Sequence, residues 1–221
     1  MAAGEINYNG SNAPRRRRET DMDHILKTAP HRQPQHPVDP LFPERWSPRA
    51  MSGAHVDREA LMSLFEAARW APSSSNAQPW RFIYASRATP AWPRFLDLLT
   101  PNNKPWCANA GALVVIASKT TFDRTGKPSK THSFDTGAAW MSLALQAHLQ
   151  GLTAHGLEGF DYGAAGELVG LPDGYAVEAM CAIGHPGPTD VLTEEQRARE
   201  QPNGRKPVSE VVSEGRFQGA P

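Results

Sequence analysis

Residues 112–117, with the sequence Ala-Leu-Val-Val-Ile-Ala, form an unbroken apolar run between a glycine and a serine. A short run without polar alternation predicts a central strand that is covered on both faces of a sheet. Three further apolar segments of similar length are bounded by turn residues, and they predict additional strands at residues 81–84, 152–157 and 175–183.

Other segments show the spacing that is typical of helices. Asp57 is placed to cap a helix that runs to about Ala71 and ends before Pro72. Residues 135–150 predict a long helix that is apolar almost all round, and Gly151 is its natural end. A helix of that kind is buried in a core or at a subunit interface. Together with shorter helices expected at residues 92–99 and 161–169, this pattern predicts an α+β fold.

The two ends of the chain differ from its middle. Residues 1–40 contain Arg15-Arg16-Arg17-Arg18 and a proline-rich stretch, with almost nothing apolar, so we expect a disordered N-terminal arm. The arginine run could bind nucleic acid or a membrane surface, but a solvated arm is the simpler interpretation. Residues 41–221 are expected to form one domain, and residues 185–221 are polar enough to be an extension of it.

Composition excludes several classes of protein. The 221 residues carry a formal net charge of zero, so we expect no nucleic-acid or membrane partner from overall charge. No apolar run approaches the roughly 18–20 residues that span a bilayer, and no secretory signal follows the N-terminus. Cys107 and Cys181 lie in apolar contexts that favour buried, reduced thiols, which predicts a cytoplasmic location.

The motifs of several enzyme classes are absent from the sequence. It has no Gly-x-Ser-x-Gly nucleophile turn, no Gly-x-Gly-x-x-Gly and no phosphate loop with its lysine. The eight histidines show no metal-ligand spacing, so we expect no metal. Without a nucleophile or a metal, the chemistry is expected to belong to a bound cofactor, and we assign no side chain a catalytic role.

Three polar clusters interrupt the apolar middle of the chain. Residues 45–49, Arg-Trp-Ser-Pro-Arg, suit a phosphate group, although a solvated basic loop would have the same composition. Residues 71–80 hold serines and amides between two prolines, which suits a planar heterocycle or a plain turn. Residues 155–161 place two glycines around Glu158, where the backbone can approach a ligand or simply turn into a helix.

Four motifs resemble, in this order, those of the FMN-dependent nitroreductase family. They are Arg45-x-Ser47-x-Arg49, Pro-Ser-Ser-x-Asn-x-Gln-Pro-Trp at 72–80, Glu158-Gly159-Phe160-Asp161 and Arg205-x-Pro207. The resemblance covers roughly residues 43–217. It implies a nitroreductase-like α+β fold with a mixed central sheet flanked by helices. It also implies an intertwined homodimer with FMN at the interface, and residues 185–221 reaching the partner subunit.

The resemblance further implies which residues would hold the FMN phosphate and the charged edge of the flavin. Arg45, Ser47 and Arg205 would bind the phosphate, with Lys206 as a helper. Arg49 would lie at the pyrimidine side of the ring, where a positive charge stabilises the reduced flavin.

The remaining implied contacts concern the flavin ring and its surroundings. Ser73, Ser74 and Asn76 would reach the ring from the other subunit. Asn103 would contact the ring edge, and Glu158 and Gly159 would offer backbone N–H groups near N5 and O4. The other positions that match the FMN-binding motifs are Trp46, Pro72, Gln78 and Leu157.

The activity implied by the resemblance is hydride transfer from NADH or NADPH, through flavin N5, to a small planar acceptor such as a nitroaromatic or a quinone. Donor and acceptor would use the same flavin face in turn, which gives ping-pong kinetics. Residues 118–134 are too few for a long lid, which favours an open site. The alternatives are other flavin chemistry on the same scaffold, such as heterocycle oxidation or flavin breakdown, and a non-enzymatic protein that binds flavin or nucleic acid.

Overall fold

The computed structural model describes residues 32–218. The helices within this range are α1 Leu41–Glu44, α2 Arg58–Arg69, α3 Trp92–Asp97, α4 Lys104–Cys107, α5 His132–Leu149, α6 Tyr162–Leu168, α7 Glu194–Ala198 and α8 Val208–Val211. The strands are β1 Trp80–Ser86, β2 Ala112–Lys119, β3 Thr153–Leu157 and β4 Tyr175–Gly184. Short 3₁₀ turns lie at Ser74–Asn76 and Thr189–Val191.

The four strands form one sheet in the order β1-β2-β4-β3, and each neighbouring pair is antiparallel. The mixed sheet implied by the resemblance is therefore not present among the described residues. The physical reason lies in the connection through α5. This helix joins β2 to β3, which run in the same direction, but β4 lies between them and pairs with both in the opposite direction.

Both faces of the sheet are covered, as the unbroken apolar run of β2 predicts. Leu113 and Val115 face a core built with α3, α4 and α6. Val114 and Ile116 face a second core built with α2 and α5. Successive side chains of a strand point to opposite faces, so a strand between two cores needs apolar residues at every position.

Helix α5 begins three residues before the predicted start and ends at Leu149. Gly151 follows two residues later, and its φ of 71° lies in the left-handed region that terminates helices. Its apolar residues do not all enter the core. Phe134 is 80% exposed, Met141 36% and Leu149 54%. With Ala138 and Leu145 they lie at helical spacing on one side, so α5 presents an apolar stripe on the surface of the single chain.

The segment 32–40 lies against the C-terminal segment, whereas its composition predicts disorder. Arg32 donates to the carbonyl oxygens of Asn203 and Arg45, and the side chain of Gln35 accepts a hydrogen bond from the N–H of Val208. Residues 1–31 and 219–221 are outside the described range, and so is the Arg15–Arg18 cluster. Across residues 32–218, no helix combines the length and apolar character needed to cross a bilayer.

Candidate functional site

Three guanidinium groups from distant parts of the chain meet beside α1. Arg45 follows α1, Arg205 lies in the C-terminal segment, and Arg32 reaches back to both regions. Burial, then the charge of Arg205, lower the pKa of Arg45, and burial, Arg205 and Arg45 lower the pKa of Arg32. Within residues 32–218, no ion pair engages any of the three groups. We call Arg32, Arg45 and Arg205 the arginine cluster.

The arginine cluster has the properties of an anion site. The Arg45 Nε is buried and lacks a hydrogen-bond partner in the described part of the chain, while its terminal nitrogen donates to the Ser47 hydroxyl at 3.2 Å. Arg32 and Arg205 line a cavity of about 540 Å³ that has Lys206 but no aspartate or glutamate among its lining residues. Three mutually repelling cations and an unpaired donor would all be stabilised by one phosphate group.

The loop that carries Arg49 is held by a buried carboxylate. Glu200 Oε1 accepts hydrogen bonds from the backbone N–H groups of Arg49 at 2.6 Å and Ala50 at 2.7 Å. Its other oxygen lies 3.9 Å from the Arg49 guanidinium. The Glu200 side chain is only 3% exposed, so it fixes the backbone at this position. Its second oxygen makes no hydrogen bond with residues 32–218 and contacts the Arg49 guanidinium only through this long ion pair.

The strand β3 joins this loop to the turn at Glu158. His155 on β3 donates its Nδ1–H to the Pro48 carbonyl at 3.1 Å and packs on Trp106, with 4.8 Å between the ring centroids. Burial, and to a lesser extent the nearby arginines, lowers the pKa of His155 to about 4, so its imidazole is neutral at pH 7. A neutral histidine in this position is a structural link between residues 45–49 and β3.

After β3 the chain turns sharply at Gly159. The Gly159 carbonyl accepts from the Thr100 N–H and from the Asn103 amide, each at 3.1 Å. A Cβ at Gly159 would lie 2.6 Å from the Asn103 amide nitrogen, so a larger residue would displace the side chain that bonds to this turn. Among the backbone hydrogen bonds outside the helices and strands of residues 32–218, none starts from the N–H of Glu158 or Gly159.

The loop at residues 72–78 is strained and anchored from α5. Ser75, Asn76 and Gln78 all have positive φ values, of 53°, 52° and 47°. The Asp135 carboxylate, which is 4% exposed, accepts from the Ser74 N–H at 3.1 Å. Non-glycine residues in the left-handed region cost roughly 1–3 kcal/mol each and are concentrated at functional sites.

The predicted FMN residues therefore fall into two groups within one chain. The first group comprises residues 45–49, Asn103, residues 157–159 and Arg205. The second is the loop 72–78, and no hydrogen bond among residues 32–218 joins it to the first.

The loop 72–78 and Glu44, which precedes the first group, contact opposite ends of α5. Asp135 binds the loop, whereas His148 lies 3.8 Å from Glu44, the residue before Arg45. At 1.5 Å per residue, Asp135 and His148 are about 20 Å apart along the helix axis.

The sequence profile of the nitroreductase family matches residues 43–100 and 87–185, which is more than half of the chain. The chain belongs to the nitroreductase family. A solved structure named as an oxidoreductase containing FMN is 46% identical to this family member, with a TM-score of 0.82. That alignment covers 85% of this chain and 96% of the other.

More distant relatives agree with this assignment. A provisionally named nitroreductase from Desulfovibrio desulfuricans, solved in complex with FMN, is 25% identical with a TM-score of 0.63, and 82% of this chain and 99% of that one are covered. A Rhodopseudomonas palustris protein with the provisional name NADH dehydrogenase/NAD(P)H nitroreductase is 26% identical over 167 residues. Those residues are 67% of this chain and 84% of the relative.

The other predicted site residues of this nitroreductase-family chain have plainer surroundings. Trp46 is half-buried, and its indole N–H has no partner within residues 32–218. Leu157 is buried, and Pro72 is exposed. Lys206 is 76% exposed and lies 4.0 Å from Glu210. Their roles toward FMN stay predictions, as do those of the two groups above.

Several residues of the candidate site carried no recognisable signal in the sequence. Arg32 belongs to a segment whose composition predicts disorder, and Glu200 belongs to a polar extension. Both act through contacts with residues more than a hundred positions away. Asp135 is the first residue of the helix predicted at 135–150, but its bond to Ser74 depends on the tertiary structure. Within residues 32–218, no group of three or more potential ligands could hold a metal ion.

Proposed function

We propose that this chain is an FMN-dependent oxidoreductase that works as a homodimer. The observation that carries the proposal is the arginine cluster at the position where the family motif begins. Its three guanidinium groups have no acidic partner among residues 32–218, and one of them has a buried N–H without a partner in that range. When bound, FMN supplies hydride chemistry at N5, from NADH or NADPH to a small planar acceptor such as a nitroaromatic or a quinone, in ping-pong order.

The residues of the arginine cluster fit a phosphate monoester. Arg45 and Arg205 would bind the phosphate oxygens. The Ser47 hydroxyl, whose oxygen lies 3.2 Å from a terminal nitrogen of Arg45, would donate a further hydrogen bond to the phosphate. Lys206 is the neighbour of Arg205 in the sequence and would add a positive charge. Its only ion pair among the described residues is a weak one with Glu210, so its ammonium group can turn to a phosphate. Charge-assisted hydrogen bonds of this kind are worth about 1.5–3 kcal/mol each.

The residues near the turn at Gly159 fit the edge of a flavin ring. The free N–H groups of Glu158 and Gly159 would donate to N5 and O4, and Asn103, which holds this turn, would lie at the ring edge. Arg49 would place its charge at the pyrimidine side. Glu200 holds the backbone of Arg49 through a hydrogen bond to its N–H, so the segment that carries the guanidinium is positioned before any ligand binds.

The homodimer is supported by two independent observations. The loop 72–78 and Glu44, the neighbour of Arg45, contact opposite ends of α5, about 20 Å apart along its axis. Ser73, Ser74 and Asn76 therefore lie far from the arginine cluster of their own chain, and a second chain is their simplest source. The exposed apolar stripe of Phe134 and Met141 is the kind of surface that a partner helix covers.

Purified protein tests this proposal directly. We expect a yellow preparation with one FMN per chain that bleaches anaerobically with NADH or NADPH and regains its colour when a quinone is added. Light scattering should give twice the mass of one chain. A colourless protein that does not take up added FMN would overturn the flavin assignment, and a strictly monomeric yellow protein would overturn only the dimer.

A further inference from the structure

A second cavity, of about 460 Å³, lies between α5, β3 and β4. Its lining includes Leu157 and Glu158, which the family resemblance assigns to the flavin, so it adjoins the proposed ring position. Glu158 and Glu178 both line the cavity, and no lysine, arginine or histidine is among its lining residues. We call it the acidic cavity.

Glu178 is held in a fixed position with one oxygen left available. Its Oε1 accepts hydrogen bonds from Ser118 and, at 2.9 Å, from Ser133, and it lies 3.1 Å from the Nδ1 of His132. No hydrogen bond from residues 32–218 reaches Oε2. The side chain is 22% exposed, so the free oxygen is available at the cavity surface rather than sealed in the core.

Two aromatic rings form part of the wall of the acidic cavity. Tyr162 stacks on Phe160, with 4.1 Å between the ring centroids. Trp140 packs over Gly156, where a Cβ would lie 3.3 Å from the indole, so the glycine leaves room for the ring. Burial, followed by the charges of Glu158 and Glu178, raises the pKa of Tyr162, which shows that both carboxylates act on this wall.

One polar group of the wall lacks a partner. Thr136 is 2% exposed, and its hydroxyl makes no hydrogen bond with residues 32–218. An unsatisfied buried hydroxyl is unfavourable by about 1–3 kcal/mol. A nitro or carbonyl oxygen of a bound molecule could accept this hydrogen bond.

The lining of the acidic cavity favours a cationic ligand, because it combines two carboxylates and two aromatic rings with no basic side chain. Aromatic faces attract cations, quaternary ammonium groups included. An anion would meet two carboxylates and no basic side chain of the lining, because His132, which lies 3.1 Å from Glu178, is not itself a lining residue. We propose that the acidic cavity is the acceptor site, and that it selects planar acceptors with a positive charge over those with a carboxylate. The substrate class rests on the proposed oxidoreductase function, whereas cation binding by the cavity can be measured without turnover.

Binding is tested first, with the purified protein and benzyltrimethylammonium as the probe in titration calorimetry. Glu178→Gln should raise the Kd about tenfold, the effect of one charge a few Å away in a partly exposed site. Tyr162→Leu, at an exposed position that tolerates substitution, should raise it several-fold through the lost aromatic face. Glu167→Gln on α6 removes the same charge outside the cavity and should leave the Kd unchanged.

Turnover is tested next, with 4-nitrobenzyltrimethylammonium and 4-nitrobenzoate as a matched pair. The ratio of their kcat/KM values should favour the cation in the unaltered protein and fall about tenfold in Glu178→Gln. Turnover without this charge preference, or a probe Kd that neither Glu178→Gln nor Tyr162→Leu changes, would refute the acidic cavity as the acceptor site. Probe binding that depends on Glu178 in a protein without reductase activity would support the cation site and refute the proposed function alone.

Discussion

Replacing Arg205 by alanine separates phosphate binding from every other contribution to flavin affinity. Arg205 is exposed, and among residues 32–218 its hydrogen bonds run only to its own neighbours, Asn203 and Gly204. Its charge lowers the pKa of both Arg45 and Arg32. Arg205→Ala should therefore leave the fold intact and relieve repulsion in the flavin-free protein, while weakening the bound state.

The size of the effect follows from the kind of bond that is lost. A hydrogen bond to a charged group contributes about 1.5–3 kcal/mol, which corresponds to roughly a 10- to 100-fold increase in the Kd for FMN. Riboflavin lacks the phosphate, so its Kd should change less than about twofold. The free energy of unfolding of the flavin-free protein should stay the same or rise, because a buried cation loses a like-charged neighbour.

Flavin fluorescence titration of the flavin-free protein measures both affinities. Arg94→Ala is the matched control, because Arg94 is an exposed arginine of α3 that lies outside the arginine cluster. The control should change neither Kd. Equal losses of FMN and riboflavin affinity in Arg205→Ala, or full retention of FMN, would show that Arg205 does not bind the phosphate.

Three further predictions follow from the site. Arg49→Ala should lower the flavin reduction potential by about 30–60 mV for a loss of 1.4–2.8 kcal/mol, measured by anaerobic dye equilibration; an unchanged potential contradicts its place beside the ring. His155 stays neutral to about pH 4 when folded but titrates near 6.5 when unfolded. The contribution of His155 to the free energy of unfolding should thus be fully present above pH 6.5 and should fall by up to about 3 kcal/mol toward pH 4. Denaturant unfolding at several pH values measures this loss, which should be absent in His155→Phe; the same loss in the variant would contradict this assignment. Glu200→Ala should reduce the free energy of unfolding by about 2–4 kcal/mol, because two buried N–H groups lose their acceptor. The exposed ion-pair variant Glu195→Ala should change it by less than about 1 kcal/mol, and similar losses in the two variants would mean that Glu200 does not anchor the loop.

Apolar patterning predicts the strand at 112–117 because both of its faces contact a core. It predicts the helix at 135–150 from a long apolar segment that ends at a glycine, although only part of the apolar surface of this helix is buried in the single chain. The relative directions of the strands could not be predicted from the sequence, because no local pattern indicates that β4 lies between β2 and β3 in the sheet. The exposed apolar stripe of α5 has the same kind of residues as the face that packs in the core. The sequence therefore does not distinguish the side of the helix that is buried in its own chain from the side that is exposed.

The candidate site was predictable where a motif is contiguous and unpredictable where it is assembled. Arg45, Ser47 and Arg49 occupy alternate positions of one short segment. In an extended chain, side chains at alternate positions point to the same side, so the sequence alone groups these three residues. Arg32 and Glu200 join the site across 171 and 151 residues, through contacts to Asn203 and Arg49 respectively. Only the folded chain brings such residues together, and their types alone are unremarkable in polar terminal segments.

A chain with no net charge nevertheless carries two cavities of opposite sign. β3 connects them: His155 binds the loop that carries Arg45 and Arg49, and Glu158 lies three residues further on, about 10 Å away in an extended chain. A molecule with a phosphate at one end and a ring at the other would be oriented by this polarity before any specific contact forms. The same polarity excludes the reverse orientation, because the phosphate would then meet the carboxylates of Glu158 and Glu178. If FMN binds as proposed, charge separation along β3 would place its phosphate at the arginine cluster and leave the acidic cavity for the acceptor.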